Sequence, residues 1–259
     1  MKLELLKLSF HYGPIPALRD ITLSLQPRIT AVLGPNGAGK STLIKCMAGI
    51  LPPTGVIQYD GMPLTRANRA QYIAAMSYLP QSLPAQSQLT VFEAVLLGLL
   101  GTLTWSVSAE DMDKVYAALA HLSIQAIAER KLGELSGGQQ QMVLIAQAMI
   151  KDPRLLLLDE PLNSLDIYHQ FEVLKTIQRI TANYDAVTVV ALHDLNLAAR
   201  YADEVVMLHD GLLYAQGPPA AVLTAETIRA VYRVDAEVRI DPRGIPVINM
   251  LDIAEPCTV

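Results

Sequence analysis

Cysteine is nearly missing from this chain. Cys46 and Cys257 are the two in 259 residues, and they show neither metal nor redox spacing. That excludes a disulfide framework and a cysteine-ligated metal centre, and it suits a reducing cytoplasm. Long apolar runs are missing too. The longest charge-free apolar stretch, Ala94–Ala109, falls short of the roughly 20 residues that span a bilayer, and Gly98, Gly101 and several hydroxyls interrupt it. The first residues carry Lys2, Glu4 and Lys7 among their leucines, which is not a signal-peptide pattern. No segment is expected to cross a membrane on its own. Excess basic charge is also absent: 20 Lys and Arg face 25 Asp and Glu, a net charge of −5. With a pI near 5.5, this argues against a general affinity for nucleic acid. There is no internal repeat and no low-complexity stretch. What remains is a chain 51% hydrophobic, sized for one large α/β domain with an inserted lobe or for two modest domains.

The strongest signal present is Gly34-Pro35-Asn36-Gly37-Ala38-Gly39-Lys40-Ser41, which fits G-x-x-x-x-G-K-[ST] in full. The apolar run Ile29–Leu33 before it reads as a strand. A helical pattern follows, with Leu43, Ile44, Met47 and Ala48 on one face, and Gly49, Pro52 and Pro53 stop it. Glycines let the backbone curl until several N–H groups point at a phosphate, and the helix behind adds its positive end. Lys40 would reach the β- and γ-phosphates, and the Ser41 hydroxyl would hold Mg²⁺. Cys46, on that helix, reads as a small core residue.

Along the chain, Leu3, Leu5, Leu8 and Phe10, then Ile21, Leu23 and Leu25, alternate as half-buried antiparallel strands. Between them Tyr12 has two readings of equal weight, plain packing or a flat platform for a purine base. Val56–Tyr59 reads as a strand entering the tight turn Asp60-Gly61. Tyr78-Leu79-Pro80-Gln81 reads as a loop at a composition boundary. From Leu89 to Ile150 the pattern is helical, a lobe inserted in the α/β core, with Val91, Val95 and Leu99 on one face and a capped helix start at Ser108. The lobe ends in Leu135-Ser136-Gly137-Gly138-Gln139 at a helix start. This is an ordinary serine cap, or a second place where an anion meets a hydroxyl and free N–H groups. Glycine in a helix costs about 1 kcal/mol against alanine, so a side-by-side pair suggests close approach of something to the backbone.

Leu155-Leu156-Leu157-Leu158 followed by Asp159-Glu160 is the second strong signal. Consecutive leucines between Pro153 and Pro161 suit a strand buried on both faces, with its acids at the carboxyl edge where ligands bind. Asp159 would hold Mg²⁺ there, and Glu160 would polarise a water. Val187–Leu192 is another buried strand, and His193 at its end would bond a γ-phosphate. The other histidines, His11, His121, His169 and His209, read as surface residues. Val205–Leu208 and Leu212–Ala215 form a hairpin, Ala220–Arg233 a final helix, and Val238–Ile248 strand-like residues around Pro242-Arg243-Gly244.

In this order the motifs resemble the nucleotide-binding subunit of an ATP-binding-cassette (ABC) transporter, over nearly the whole length. The resemblance implies a P-loop NTPase fold of class α/β, with a mixed, mainly parallel sheet, an antiparallel β-subdomain and an inserted α-helical subdomain. Residues 1–82 and 151–235 would be the RecA-like core, 83–150 the helical signature subdomain and 236–259 a strand-like tail. It makes Tyr12 the A-loop aromatic, Gly34–Ser41 with Thr42 the Walker A loop, and Gln81 the Q-loop residue. Ser136, Gly137, Gly138 and Gln139 become the signature, Asp159 and Glu160 Walker B, Ser164-Leu165-Asp166 the D-loop and His193 the switch. ATP would be bound by Tyr12, Walker A, Gln81, the signature and Asp166. Mg²⁺ would be bound by Ser41, Gln81 and Asp159, and catalysis carried by Glu160, His193 and Lys40. Two copies would pair head to tail. They would sit at the cytoplasmic face of the inner membrane, held by two copies of a multi-span permease, with a periplasmic or lipid-anchored binding protein reached through it and no nucleic acid involved. The stretches His193–Asp203 and Val231–Asp235 resemble importers of iron–siderophore complexes, haem and cobalamin. The helix after the signature, Gln139-Gln140-Gln141-Met142, lacks the arginine often found there. Rival readings are an ABC ATPase of translation, DNA repair or chromosome structure, an importer of a metal ion or oxyanion, and a cassette that binds ATP without hydrolysis. The usual double cassettes, coiled coils or zinc modules of the first rival are not in this sequence, and Lys40, Asp159, Glu160 and His193 weigh against the last.

Overall fold

The computed structural model describes residues 2–80, 88–99, 107–163 and 165–254. Gln81, Trp105, Ser164 and Cys257 lie outside the described residues. The chain opens with β1 (Leu3–Tyr12), β2 (Ile15–Leu25), β3 (Ile29–Leu33), α1 (Lys40–Met47), β4 (Thr54–Tyr59) and β5 (Met62–Pro63). Next come α2 (Arg69–Ala75), β6 (Met76–Leu79), α3 (Val91–Leu96), α4 (Ala109–His121), α5 (Gly137–Met149), β7 (Leu155–Asp159) and α6 (Ile167–Tyr184). It finishes with β8 (Val187–Ala191), α7 (Leu195–Tyr201), β9 (Glu204–His209), β10 (Leu212–Gly217), α8 (Pro219–Val222), α9 (Ala225–Tyr232), β11 (Val234–Ile240) and β12 (Pro246–Ile253). Two compact units divide these elements, Met1–Leu64 with Val189–Val259, and Thr65–Thr188.

In the first unit an antiparallel sheet runs β2-β1-β4-β5. Its inward stripe is the alternating set seen in the sequence, with Leu3, Leu5, Leu8 and Ile21 fully buried. Beside it β9 lies parallel to β3 and antiparallel to β10. All five residues of β3 are buried, which is why that strand reads as a continuous apolar run instead of an alternation. Helix α1 presses Leu43, Ile44 and Met47 into the core. Cys46 is buried with them, and burial pushes its thiol up to about 12, so it is an inert packing residue. The tail is the antiparallel hairpin β11–β12.

In the second unit β6 lies parallel to β7 in the register Met76↔Leu155 through Leu79↔Leu158. The segment Tyr78–Leu79, expected as loop, is therefore the end of a strand. Helices α3, α4 and α5 carry the helical lobe, with Val91, Val95 and Leu99 buried as their spacing requires. Capping boxes fix two of the starts, Thr90 with Glu93 and Ser108 with Asp111. A second expectation fails at the C-terminal side. Ala220–Arg233 is not one helix, because Thr224 accepts the Thr227 N–H and starts α9 afresh after α8 has ended.

Candidate functional site

The phosphate loop is built in the first unit from positive backbone angles. Gly34, Gly37 and Gly39 have φ of 147°, 81° and 103°, values that favour glycine. Gly34 has a second reason to lack a side chain, since a Cβ there would lie 2.3 Å from the Leu208 carbonyl oxygen. Gly39 is the N-cap of α1, and no side chain caps that helix. Helix starts at α3, α4, α5, α6, α7 and α9 all carry a capping side chain. At α1 an anion entering the loop would stand where a capping side chain otherwise would. Ser41 is half-buried and Thr42 buried, while Asn36 and Gly37 are exposed at the mouth, and Ala38 packs inside. Lys40 is 4% exposed, and its ammonium folds back to donate to the Gly34 carbonyl at 2.8 Å and the Pro35 carbonyl at 3.1 Å.

A brace supports this loop from behind. The Gly211 N–H donates to the Ala38 carbonyl at 3.2 Å, and the Gly211 carbonyl accepts from the Arg19 N–H at 2.8 Å. The Arg19 guanidinium also donates to the Asp210 carbonyl. Gly211 sits at φ 75°, and a Cβ added there would stand 2.7 Å from the Ala17 carbonyl oxygen. Backbone cannot give way cheaply. Gly211→Ala is therefore expected to destabilise the fold by about 2 kcal/mol, a fall of roughly 4–8 °C in Tm, and to weaken ATP binding as well. Gly244, at φ 81° with open space around it, is the control. Gly244→Ala should carry the backbone strain alone, about 1 kcal/mol, with ATP binding unchanged. Thermal melts and nucleotide titrations of the two variants check this contrast.

In the second unit Asp159 ends β7 fully buried, and Glu160 follows at 9% exposure. Glu160 holds φ 53°, a left-handed conformation that a non-glycine residue adopts only when its surroundings impose it. Asn163 donates to its carboxylate, Nδ2 to Oε2 at 2.7 Å, and so fixes one oxygen. The next carbonyl, of Pro161, accepts from the buried side chain of Gln141 on α5 at 3.0 Å. Helix α5 and the turn carrying Glu160 are thus tied together. Neither Asn163 nor Gln141 stood out in the sequence; the signal available was an amide three residues after Glu160 in a turn, and a glutamine directly before the apolar run Met142–Ala146. Tyr78 on β6 feels the same end of the sheet, its phenol pushed up to about 12 by burial and then by the Asp159 charge.

Also in the second unit, Ser136 caps α5 in a full capping box, its hydroxyl accepting the Gln139 N–H at 3.3 Å while Gln139 accepts the Ser136 N–H at 3.1 Å. The ordinary cap is real, yet it occupies only an acceptor position of the hydroxyl. The O–H remains to donate. Ser136, Gly137, Gly138 and Gln139 line a cavity of about 530 Å³ together with Leu165, Asp166 and His169. Asp166 caps α6 through the His169 N–H, and that bond holds its carboxyl below the ordinary value. His169 is a surface residue as expected, bonded to Asp166, while His209 is half-buried with its Nδ1 enclosed and departs from that expectation.

His193 stands exposed two residues beyond β8, in the first unit. Tyr12, at the end of β1, is 48% exposed and touches Phe10 edge-on at 4.9 Å. It does not belong to the core. Gln81 lies outside the described residues.

A glycine phosphate loop opening an uncapped helix, and a buried Asp–Glu pair closing a hydrophobic strand, define the chain as a P-loop nucleoside triphosphatase. The family model for the ABC transporter matches residues 18–163, and the chain belongs to that family of ATPases. It is 41% identical over 241 residues to an uncharacterised ABC transporter ATP-binding protein of Methanocaldococcus jannaschii, covering 92% of this chain and 94% of that one. It is 37% identical to the petrobactin import ATP-binding protein of Bacillus anthracis, covering 93% and 89%. Its fold overlays an ABC transporter assigned to the metal-chelate type, in an inward-facing conformation, with a TM-score of 0.81 at 26% identity, covering 96% and 97% of the two chains. Among the described residues no helix is long and apolar enough to cross a membrane.

Proposed function

We propose that two copies of this chain pair head to tail around two ATP molecules and power import through a separate multi-span permease. Each ATP would lie between the loop Gly34–Ser41 of one copy and Ser136-Gly137-Gly138 of the other. Glu160 would polarise the attacking water, and His193 and Gln81 would contact the γ-phosphate. Tyr12 would stack on the base, and Asp166 would meet the nucleotide across the interface. The cargo we assign is an iron chelate, haem or cobalamin, on the likeness of His193–Asp203 and Val231–Asp235 to such importers and on the petrobactin relative. The substrate-binding protein would meet the permease, and this subunit would stay on the cytoplasmic side of the membrane.

What supports the dimer is that two helix starts in one chain carry glycines suited to an anion. One is the uncapped α1 and the other is the glycine pair of α5 beside its cavity. One nucleotide pocket does not need both. Mg²⁺ is the metal this reading calls for. Ser41 and Asp159 each carry an oxygen of the hard kind that Mg²⁺ prefers. When bound, the ion would neutralise charge on the β- and γ-phosphate oxygens.

Mixed mutant proteins test the pairing. Lys40→Ala destroys a phosphate loop and Ser136→Arg blocks a signature, so each homodimer should be inactive. The heterodimer combines the intact loop of the Ser136→Arg copy with the intact signature of the Lys40→Ala copy. Mixing should therefore restore up to about a quarter of wild-type turnover, one live site in half of the dimers. A mixture as inactive as its components contradicts the head-to-tail arrangement.

A further inference from the structure

The tail hairpin takes no part in the phosphate chemistry above, yet contacts from the C-terminal elements reach the segments that perform it. β12 is paired on one side only, with β11, and Ile248 faces Val238 across that ladder. The Ile248 backbone turns both of its polar groups away from β11. Its N–H donates to Asn196 Oδ1 at 2.8 Å, and its carbonyl accepts from Asn196 Nδ2 at 3.0 Å. A side-chain amide thus supplies one rung of ladder to an open strand edge, and uses both of its polar atoms to do so.

Asn196 lies in α7, three residues after His193. The Asp194 side chain caps α7 by accepting the Asn196 and Leu197 N–H groups at 2.8 and 2.9 Å. On the other side of His193, the Leu192 N–H is held by the Val32 carbonyl of β3 at 3.2 Å. His193 therefore sits on a short span pinned at one end by the strand that feeds the phosphate loop, and at the other by a helix the tail clamps. A separate contact runs the same way. The Tyr232 hydroxyl of α9 is buried near the Gly34 backbone.

We propose that the C-terminal module, residues 225–254, is a brace that sets the resting position of the His193 segment, with Asn196 as the positioning residue that couples them. This rests on the reading of His193 as a γ-phosphate contact. Asn196 spends both polar atoms on Ile248, so it acts through α7. With the clamp gone, α7 keeps its cap but loses its tie to β12. His193 then samples positions beside the productive one, and a displacement of about 1 Å in a reacting group costs up to roughly a hundredfold in rate.

The test uses the full chain. Asn196→Ala is expected to lower kcat about tenfold while KM and the equilibrium affinity for ATP stay within about twofold of wild type. Hydrogen exchange at the Ile248 amide should quicken by about tenfold or more, since its acceptor is gone. Asn196→Asp keeps the acceptor and loses the donor. It should leave Ile248 protected, with turnover between wild type and Asn196→Ala. Wild-type turnover in Asn196→Ala overturns the proposal, as does a joint loss of kcat and ATP affinity, which marks general loosening. Unchanged Ile248 exchange overturns it too. If Asn196→Ala does not fold, Asn196→Asp decides: reduced kcat at wild-type ATP affinity supports the brace, and wild-type kcat refutes it. Undiminished turnover in His193→Ala would instead refute the reading of His193 itself, which separates that failure from a failure of the clamp.

Discussion

Glu160→Gln is expected to lower ATP turnover by about 10²–10⁴-fold, the range over which a positioned general base acts, and to leave nucleotide binding intact. The substitution is close to isosteric. Glutamine keeps an oxygen to accept the Asn163 amide donor, so the contact made at 2.7 Å in the native protein survives. The left-handed backbone at φ 53° is also retained, since glutamine occupies it no worse than glutamate. Packing at this nearly buried position changes little. What disappears is the negative charge that would draw a proton from water, so the loss should fall on chemistry rather than on fold or affinity. With the γ-phosphate uncleaved, the ATP-bound dimer should accumulate. Size-exclusion chromatography with light scattering reads that mass doubling in ATP and its absence in ADP. Turnover equal to wild type would remove Glu160 as the base, and loss of ATP affinity would show that the carboxylate holds nucleotide instead.

Much of this site was legible because its chemistry needs local signals. The loop at Gly34–Ser41 must place glycine where φ is positive, and β7 must be apolar on both faces, so both are written in consecutive residues. Other features are written elsewhere. β6 has four residues and no alternation, and α2 before it buries only Tyr72 among its seven, so neither carries a periodic pattern. The break between α8 and α9 depends on one threonine in an alanine-rich run, where helical propensity favours continuing. The ties Gln141–Pro161 and Asn196–Ile248 join residues 20 and 52 positions apart through single amides. Polar side chains of that kind leave no hydrophobic trace, and pairing them requires the fold first. The left-handed Glu160 is similar: the sequence identifies the acid, while the neighbours that hold its backbone appear only in three dimensions.

Lys40→Ala should raise the dissociation constant for ATP by about two to three orders of magnitude and abolish turnover with it. The lysine is nearly enclosed, at 4% exposure, and its charge is kept in place by two loop carbonyls 2.8 and 3.1 Å away. Those carbonyls keep a cation inside the loop that would receive the phosphates. A unit charge about 4 Å from an anionic oxygen gains about 4 kcal/mol at an effective dielectric of 20, and each 1.4 kcal/mol is about tenfold in affinity. The structural penalty is smaller. Two hydrogen bonds are lost, about 1 kcal/mol each, which for a chain of this size lowers Tm by roughly 4–8 °C. The variant therefore remains folded at room temperature, and the affinity loss can be measured by calorimetric titration. Binding within threefold of wild type would show that the ammonium serves the loop's own carbonyls and not the nucleotide. In that case the uncapped start of α1 alone would have to hold the phosphates.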